Sequence, residues 1–372
     1  MPVDRPFSSS PFLWPLVAAA AASEAAASCF TEFAHALVAE EPNERSAREP
    51  RWATQHRVAL DLQTLHLRDF SLRPGGVPTL ICAPFALHGA TVADFANGHS
   101  LVQALLAAGL NRVFVTDWRS ASPEMRLLTI DNYLADLNIA VDAVGAPVDL
   151  VGLCQGGWLS LIYAARFPDK VRRLVIAGAP IDVHAGDSVL SRMAADIPLA
   201  VFEDMVRLGD GRILGRRALD LWGPALGADE ADRILQVPPD AGAAEWRELH
   251  ERFGEWYAWT IDLPGTFYLQ VVHWLFKENR IAAGCFVALG RTIDLADLRV
   301  PLFLLAARDD ELVSSDQLLA TAGLVGTPKH AIETAIEPCG HLSLFLSAET
   351  LQHTWPKIAR WLNGDLVKSE AA

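Results

Sequence analysis

The segment Val148-Asp-Leu-Val-Gly-Leu-Cys-Gln-Gly-Gly157 constrains this chain more than any other. An apolar run ends abruptly in a G-x-C-x-G pentapeptide, and Trp158-Leu-Ser-Leu-Ile-Tyr-Ala-Ala165 then resumes with helical character. This reads as a strand, a sharp turn and a helix, with Cys154 at the apex. Gly152 and Gly156 are needed there because the strand and helix approach too closely for side chains, while the apex residue sits on strained backbone. Such a turn lifts the sulfur above the sheet and directs the backbone N–H of Gln155 toward a developing oxyanion. The helix N-terminus also favours a thiolate.

The rest of the chain supplies the sheet that such a turn requires. Residues 58–62 and 65–70 alternate as a half-exposed hairpin would. Short apolar runs follow at 78–83, 112–116, 148–152, 174–177 and 302–306, as buried parallel strands show. Helical patterns at 98–108, 131–144 and 157–167 separate them at crossover length. The fold class is therefore α/β, a mostly parallel, doubly wound sheet. The rhythm stops after Ile181, and no clear strand appears before Val300. A loop that long carries structure of its own, so an all-helical cap is expected, with helical spacing at 193–208 and 265–278. The expected organisation is an alanine-rich helical segment (1–41), a charged linker (42–56), a first core part (57–184), a helical cap (185–290) and a second core part (291–372) closing with an amphipathic helix at 349–362.

An elbow nucleophile needs a base and an orienting acid, which in α/β-hydrolases follow it in the order acid, base. Arg308-Asp-Asp-Glu-Leu-Val313 lies just beyond the strand at 302–306, offering Asp309 or Asp310 as the acid. Glu337-Pro-Cys-Gly-His341 follows another apolar strand and supplies the base. An imidazole oriented by a carboxylate can deprotonate Cys154 and then an attacking hydroxyl or water. The second oxyanion donor is expected from the loop after 78–83, at Phe85 or Ala86. His88, Asp117 and Arg119 also fall at strand ends, where capping a turn is an equal explanation.

Composition excludes other classes. With 45 acidic against 31 basic residues and a formal charge of −14, the chain lacks the positive field that neutralises phosphates, so no nucleic acid is expected as partner. The five cysteines (Cys29, Cys82, Cys154, Cys285, Cys339) include no C-x-x-C pair, which points to reduced thiols and a cytoplasmic setting. Cys82, Cys285 and Cys339 are read as small buried hydrophobes. Near the start, Phe12-Leu-Trp-Pro-Leu-Val17 runs into alanines, but Arg5 is offset by Asp4 and Glu24 interrupts the apolar stretch. An alanine-rich amphipathic helix is expected there, not an export signal or a transmembrane segment, with docking to a partner or an apolar surface as the functional alternative to a plain structural helix. No metal cluster or phosphate-cradling loop is evident, so no metal and no bound cofactor are expected. Five of the eleven tryptophans (Trp222, Trp246, Trp256, Trp259, Trp274) fall in the cap. Most are assigned to helix packing, and some to an apolar channel above Cys154.

These motifs together resemble the polyhydroxyalkanoate synthases, cysteine-dependent members of the α/β-hydrolase superfamily. The likeness spans about residues 75–362. It rests on Gly152-Leu-Cys-Gln-Gly-Gly157, Phe114-Val-Thr-Asp-Trp118, Phe167-Pro-Asp-Lys-Val171, Gly178-Ala-Pro-Ile-Asp182, Leu263-Pro-Gly265, Lys277-Glu-Asn-Arg280, Thr292-Ile-Asp-Leu295, Arg308-Asp-Asp-Glu-Leu-Val313 and Gly340-His341. Length and the Cys-Gln-Gly-Gly sequence look most like the short synthases that work with a second subunit. The resemblance implies Cys154, Asp310 and His341 as the catalytic set, and it is what prefers Asp310 to Asp309. It further implies a 3-hydroxyacyl-CoA substrate with CoA as leaving group, a growing polyester as product, a second subunit or homodimer, and a place at the polymer-granule surface. The chain departs from the synthases at Asp310-Glu-Leu-Val-Ser314, at Ala258-Trp-Thr-Ile-Asp262 and at Phe85-Ala-Leu-His-Gly-Ala90. A hydrolase on the same scaffold (thioesterase, intracellular depolymerase or carboxylesterase) is one alternative, and a non-catalytic granule-associated or partner-binding subunit is another.

Overall fold

A computed structural model describes residues 48–222, 230–237 and 242–364. The alanine-rich segment 1–41 and the first part of the expected linker lie outside the described residues, as does the Trp222 side chain.

Eight strands form the central sheet: β1 (Arg57–Asp61), β2 (Leu65–Asp69), β3 (Thr79–Cys82), β4 (Val113–Trp118), β5 (Val148–Leu153), β6 (Val171–Ala177), β7 (Leu302–Ala307) and β8 (Ile332–Glu337). Their spatial order is β1-β2-β4-β3-β5-β6-β7-β8, parallel from β4 to β8, with β1 and β2 antiparallel at one edge. Helices α1 (Leu101–Ala107), α2 (Ile130–Val144) and α3 (Gln155–Arg166) make the crossovers. Every residue of β5 is buried, because helices cover both faces of the sheet, and this is why its sequence is an apolar run without alternation. The period-2 pleat is still visible in the packing: Leu80, Leu150, Leu174 and Leu304 face α2 and α3, while Ile81, Val151, Val175 and Leu305 face α1 and the C-terminal helix.

The core helices follow from local signals. In α2, Ile130, Tyr133, Leu134, Leu137, Val141 and Val144 line one buried face. The Asn132 side-chain oxygen accepts from Thr129 N–H at 2.8 Å at the start of α2, and Gly145, at φ 93°, ends the helix. The expected helix at 349–362 is two pieces, Ala348–His353 and Trp355–Asn363, because Pro356 removes a backbone donor and starts a new turn. Residues 48–56 carry no helix or strand, yet they are docked on the core. Thr54 donates to both carboxylate oxygens of buried Asp94 at 2.8 Å, and Trp52 packs on Phe70.

The cap is mostly but not entirely helical, which corrects the all-helical expectation. Its described helices are Val189–Asp196, Leu199–Leu208, Gly215–Trp222, Glu230–Leu235, Ala243–Ala258 and Gly265–Gln270, the last continued by a π-helical turn at Val271–Lys277. Pro198 divides the helix expected over 193–208. Arg212–Ile213 pairs antiparallel with Leu263–Pro264, and Val287–Ala288 with Arg291–Thr292. Gly211 and Gly265 allow the first pairing: a side chain on Gly265 would lie 2.4 Å from the Gly211 carbonyl oxygen. The cap is tied together by Lys277, whose ammonium donates to the carbonyls of Ala194 and Ile197 at 2.6 and 2.8 Å. It is tied to the core by Asn279, which donates to Asp182 at 2.7 Å. Cys82 and Cys339 are buried as expected, and burial pushes both thiols up to about 12. Cys285 is exposed, contrary to expectation: it leaves a turn next to Phe286, and Phe286 takes the inward position.

Candidate active site

Strand β5 delivers Cys154 to the turn before α3. Its backbone has φ 48° and ψ −117°, the left-handed half of the map that a side-chain-bearing residue occupies only when neighbours enforce it. Those neighbours are visible. The Cys154 N–H donates to the Ala177 carbonyl of β6 at 2.8 Å, and its own carbonyl accepts from Gly157 at 2.8 Å. Close contact also fixes the glycines. A Cβ on Gly156 would lie 2.1 Å from the Cys82 carbonyl oxygen, and one on Gly152 2.6 Å from that of Gly156. The N–H of Gln155 opens the first turn of α3, where no intrahelical acceptor exists.

The loops beyond β7 and β8 bring Asp310 and His341 together. His341 Nδ1 donates to Asp310 Oδ2 at 2.6 Å, and both side chains are almost wholly buried. The other carboxylate oxygen accepts the backbone N–H groups of Leu312 and Val313, each at 2.9 Å. Both oxygens of Asp310 are thereby engaged and its orientation fixed. A carboxylate accepts only, so Nδ1 carries the proton and Nε2 is turned to the thiol. Burial would depress the imidazole's proton affinity, but the Asp310 carboxylate and the Cys154 sulfur, which shares a hydrogen bond with the ring, outweigh it and hold the pKa well above its ordinary value. Gly178, at φ +57°, keeps the space beside the ring: a Cβ there would stand 3.3 Å from His341 Cε1. Asp309, the alternative acid, is exposed, and its backbone N–H donates to the Cys339 carbonyl at 3.0 Å.

Cys154, Gln155, Ala86 and His341 all border one cavity of about 270 Å³, whose walls are otherwise largely apolar and come from both core and cap. Phe85 borders it too, with its ring packed against Tyr133 and Phe267. The loop bearing Ala86 is anchored: the Trp118 indole donates to the Ala83 carbonyl at 2.9 Å, and the Leu87 carbonyl accepts from Ile261 of the cap at 2.9 Å. Of the cap tryptophans whose side chains are described, only Trp256 lines the cavity, whereas Trp274 packs on Phe286 and Trp246 is exposed. The three strand-end polar residues part company. Asp117 is paired with Arg68 at 2.6 Å and Arg119 with Asp61 at 3.2 Å, away from the cavity, but His88 is part of its wall. The sequence held no signal for this, because the rings that flank His88 come from the distant helix Ala243–Ala258. Among the described residues, no group of three or more His, Cys, Asp or Glu side chains could hold a metal ion, and no helix is long and apolar enough to cross a membrane.

Comparison with known proteins agrees with this geometry. The alpha/beta hydrolase fold family model matches residues 87–348. The poly(3-hydroxyalkanoate) polymerase subunit PhaC of Synechocystis sp. is 32% identical over 285 residues, 73% of each chain. That of Allochromatium vinosum is 29% identical over 302 residues, 78% of this chain and 83% of its own. Among solved structures, a monoacylglycerol lipase from Paleococcus ferrophilus superposes with a TM-score of 0.54 at 14% identity, covering 81% of this chain and 99% of its own, a likeness of fold. With the β5 elbow, the β4-to-β8 parallel sheet and the aligned relatives in agreement, the chain belongs to the alpha/beta hydrolase fold family and, within it, to the PhaC poly(3-hydroxyalkanoate) polymerase subunits.

Proposed function

We propose that the protein is an acyltransferase that builds a polyester from 3-hydroxyacyl-CoA through an acyl-cysteine on Cys154. The observation that carries this reading is a cysteine on a nucleophile elbow beside an Asp310-oriented His341, in a chain whose curated relatives are polymerase subunits. The Cys154 thiolate attacks the thioester carbonyl, and the N–H groups of Gln155 and Ala86 receive the developing oxyanion. The C–S bond to CoA breaks, and His341 gives its proton to the departing CoA sulfur. Exchange of one thioester for another is nearly balanced in energy, which favours sulfur over oxygen as nucleophile. His341 then takes the proton from the 3-hydroxyl of a further hydroxyacyl unit, whose oxygen attacks the acyl-cysteine and closes an ester. Asp310 holds the imidazole in the tautomer this requires, since both its oxygens are already engaged. The apolar walls disfavour water, which would release a free acid at the same step.

The relatives are polymerase subunits, which supports a partner subunit for this chain as well, and a polyester product supports work at a polymer surface. The test is incubation with 3-hydroxybutyryl-CoA, read by mass spectrometry of the intact protein alone and with a candidate partner subunit. A ladder of hydroxybutyryl units on wild type and none on Cys154→Ala is expected. Free acid and CoA in equal amounts, without a ladder or polymer in either condition, would show a hydrolase instead.

A further inference from the structure

His88 lies two residues beyond Ala86, on the loop where this chain departs from the synthase pattern. Its ring borders the cavity that holds Cys154 and His341. The ring is held on three sides: centroids lie 4.5 Å from Trp256 and 5.0 Å from Tyr257, and Nδ1 is 3.1 Å from the Trp259 carbonyl oxygen. A carbonyl cannot donate, so Nδ1 must carry the hydrogen. In the neutral ring the lone pair is then on Nε2. Burial keeps the ring neutral, depressing its pKa to about 4 despite the Trp259 hydrogen bond. The wall of a largely apolar acyl cavity therefore carries a fixed hydrogen-bond acceptor.

An acceptor in that position discriminates among the groups an acyl chain can present. Ester and thioester carbonyls have only lone pairs and would meet it unfavourably, and a methylene leaves it unsatisfied at a cost. A hydroxyl satisfies it. We propose that His88 is a specificity-determining residue, whose Nε2 accepts a hydrogen bond from the 3-hydroxyl of the acyl group carried on Cys154. The assignment rests on the acyltransferase reading above and deepens it. The cap contributes by clamping the ring: Trp256, Tyr257 and Trp259 all belong to it or to its edge, so selection for hydroxylated chains depends on the cap being seated.

The experiment measures single-turnover acylation of the full-length protein by 3-hydroxybutyryl-CoA and by butyryl-CoA, read as the mass added to Cys154. The readout is the ratio of the two rates in wild type, His88→Phe and His88→Gln. A site built to bond a hydroxyl loses discrimination steeply when the partner is removed, so His88→Phe, which keeps an aromatic ring against Trp256, is expected to lower the ratio by about tenfold or more. His88→Gln, whose amide can donate to the Trp259 carbonyl and accept with its own oxygen, is expected to restore most of it. An unchanged ratio in His88→Phe, including equal loss on both substrates, overturns the assignment. Wild type that takes up neither acyl group, alone or with a candidate partner subunit, overturns the acyltransferase reading and this inference with it, a result separable from a changed or unchanged ratio in an active enzyme.

Discussion

Replacing Gly156 by alanine should damage the protein far out of proportion to one methyl group. The added Cβ would lie 2.1 Å from the Cys82 carbonyl oxygen, 2.7 Å from that of Ala83 and 2.8 Å from the Cys82 carbonyl carbon. The closest of these is roughly 1 Å or more inside an ordinary contact. All three are backbone atoms of β3 and the residue after it, and that strand is paired on both sides, with β4 and β5. Ala83 is pinned as well, by Thr116 through its N–H and by the Trp118 indole through its carbonyl. No side chain can move aside to relieve the overlap, so α3 must shift as a unit. Overpacking of this kind costs about 3 kcal/mol, the upper part of its usual range. In a domain of this size that lowers the thermal midpoint by about 4–5 °C. A shift of α3 also carries Gln155 away from Ala86, and misplacement of about 1 Å at a reacting centre costs on the order of a hundredfold in rate. Circular dichroism melting and single-turnover acylation of Cys154 measure the two effects. Gly254→Ala is the matched control, since a Cβ there meets nothing within 4 Å on the exposed face of the helix Ala243–Ala258. It should stabilise the protein by about 0.5–1 kcal/mol. A Gly156→Ala protein that melts and acylates like wild type, or a Gly254→Ala protein that suffers equally, would refute the close-approach reasoning.

Asp310→Asn leaves an amide oxygen for the N–H groups of Leu312 and Val313 but puts an N–H opposite His341 Nδ1, forcing the unproductive tautomer. Acylation should fall by about 10³–10⁴-fold with the fold intact, and retention of more than about a tenth of the wild-type rate would contradict the role given to Asp310. His88 makes a prediction about acid. Its folded-state pKa of about 4 lies below the ordinary 6.5, so its contribution to stability is present above pH 6.5 and is lost as pH falls toward 4. The gap corresponds to at most on the order of 3 kcal/mol. Denaturant unfolding at both ends of that window should show a smaller acid loss in His88→Phe than in wild type. Equal losses would mean that the ring is solvated and titrates normally.

How much of this was legible beforehand follows from the range of the interactions involved. The core strands could be read because each is buried on both faces, so that β5 is apolar along its whole length. The elbow was legible because Gly152 and Gly156 sit where backbones nearly touch and Gly157 where the Ala179 and Ile176 side chains press in, a demand that leaves its mark within six residues. Asp310 and His341 were legible through strand order, although residues alone could not separate Asp310 from its neighbour. That choice depends on which side chain turns inward: Asp310 is buried against His341, whereas Asp309 is exposed. The cap was less readable. The ladder between Arg212–Ile213 and Leu263–Pro264 is two residues long, too short for any periodicity, and exists only because segments far apart in sequence meet. His88 was opaque for the same reason: whether a loop histidine caps a turn or lines a cavity is decided by Trp256, Tyr257 and Trp259.

The cap is inserted between β6 and β7, which are nevertheless hydrogen-bonded neighbours. Synthesis from the N-terminus therefore makes the elbow, the loop bearing Ala86 and six of the eight strands before the entire cap, and supplies His341 only after the eighth strand. Closing so long an excursion costs little more entropy than closing a short one, because the penalty grows only logarithmically with length. What it does impose is an order. A ribosome-bound or locally opened chain, in which β7 and β8 have not yet docked on β6, presents a strained thiol with no imidazole beside it. Docking of the last two strands is thus the step that brings Asp310 and His341 to the cavity that Cys154 borders.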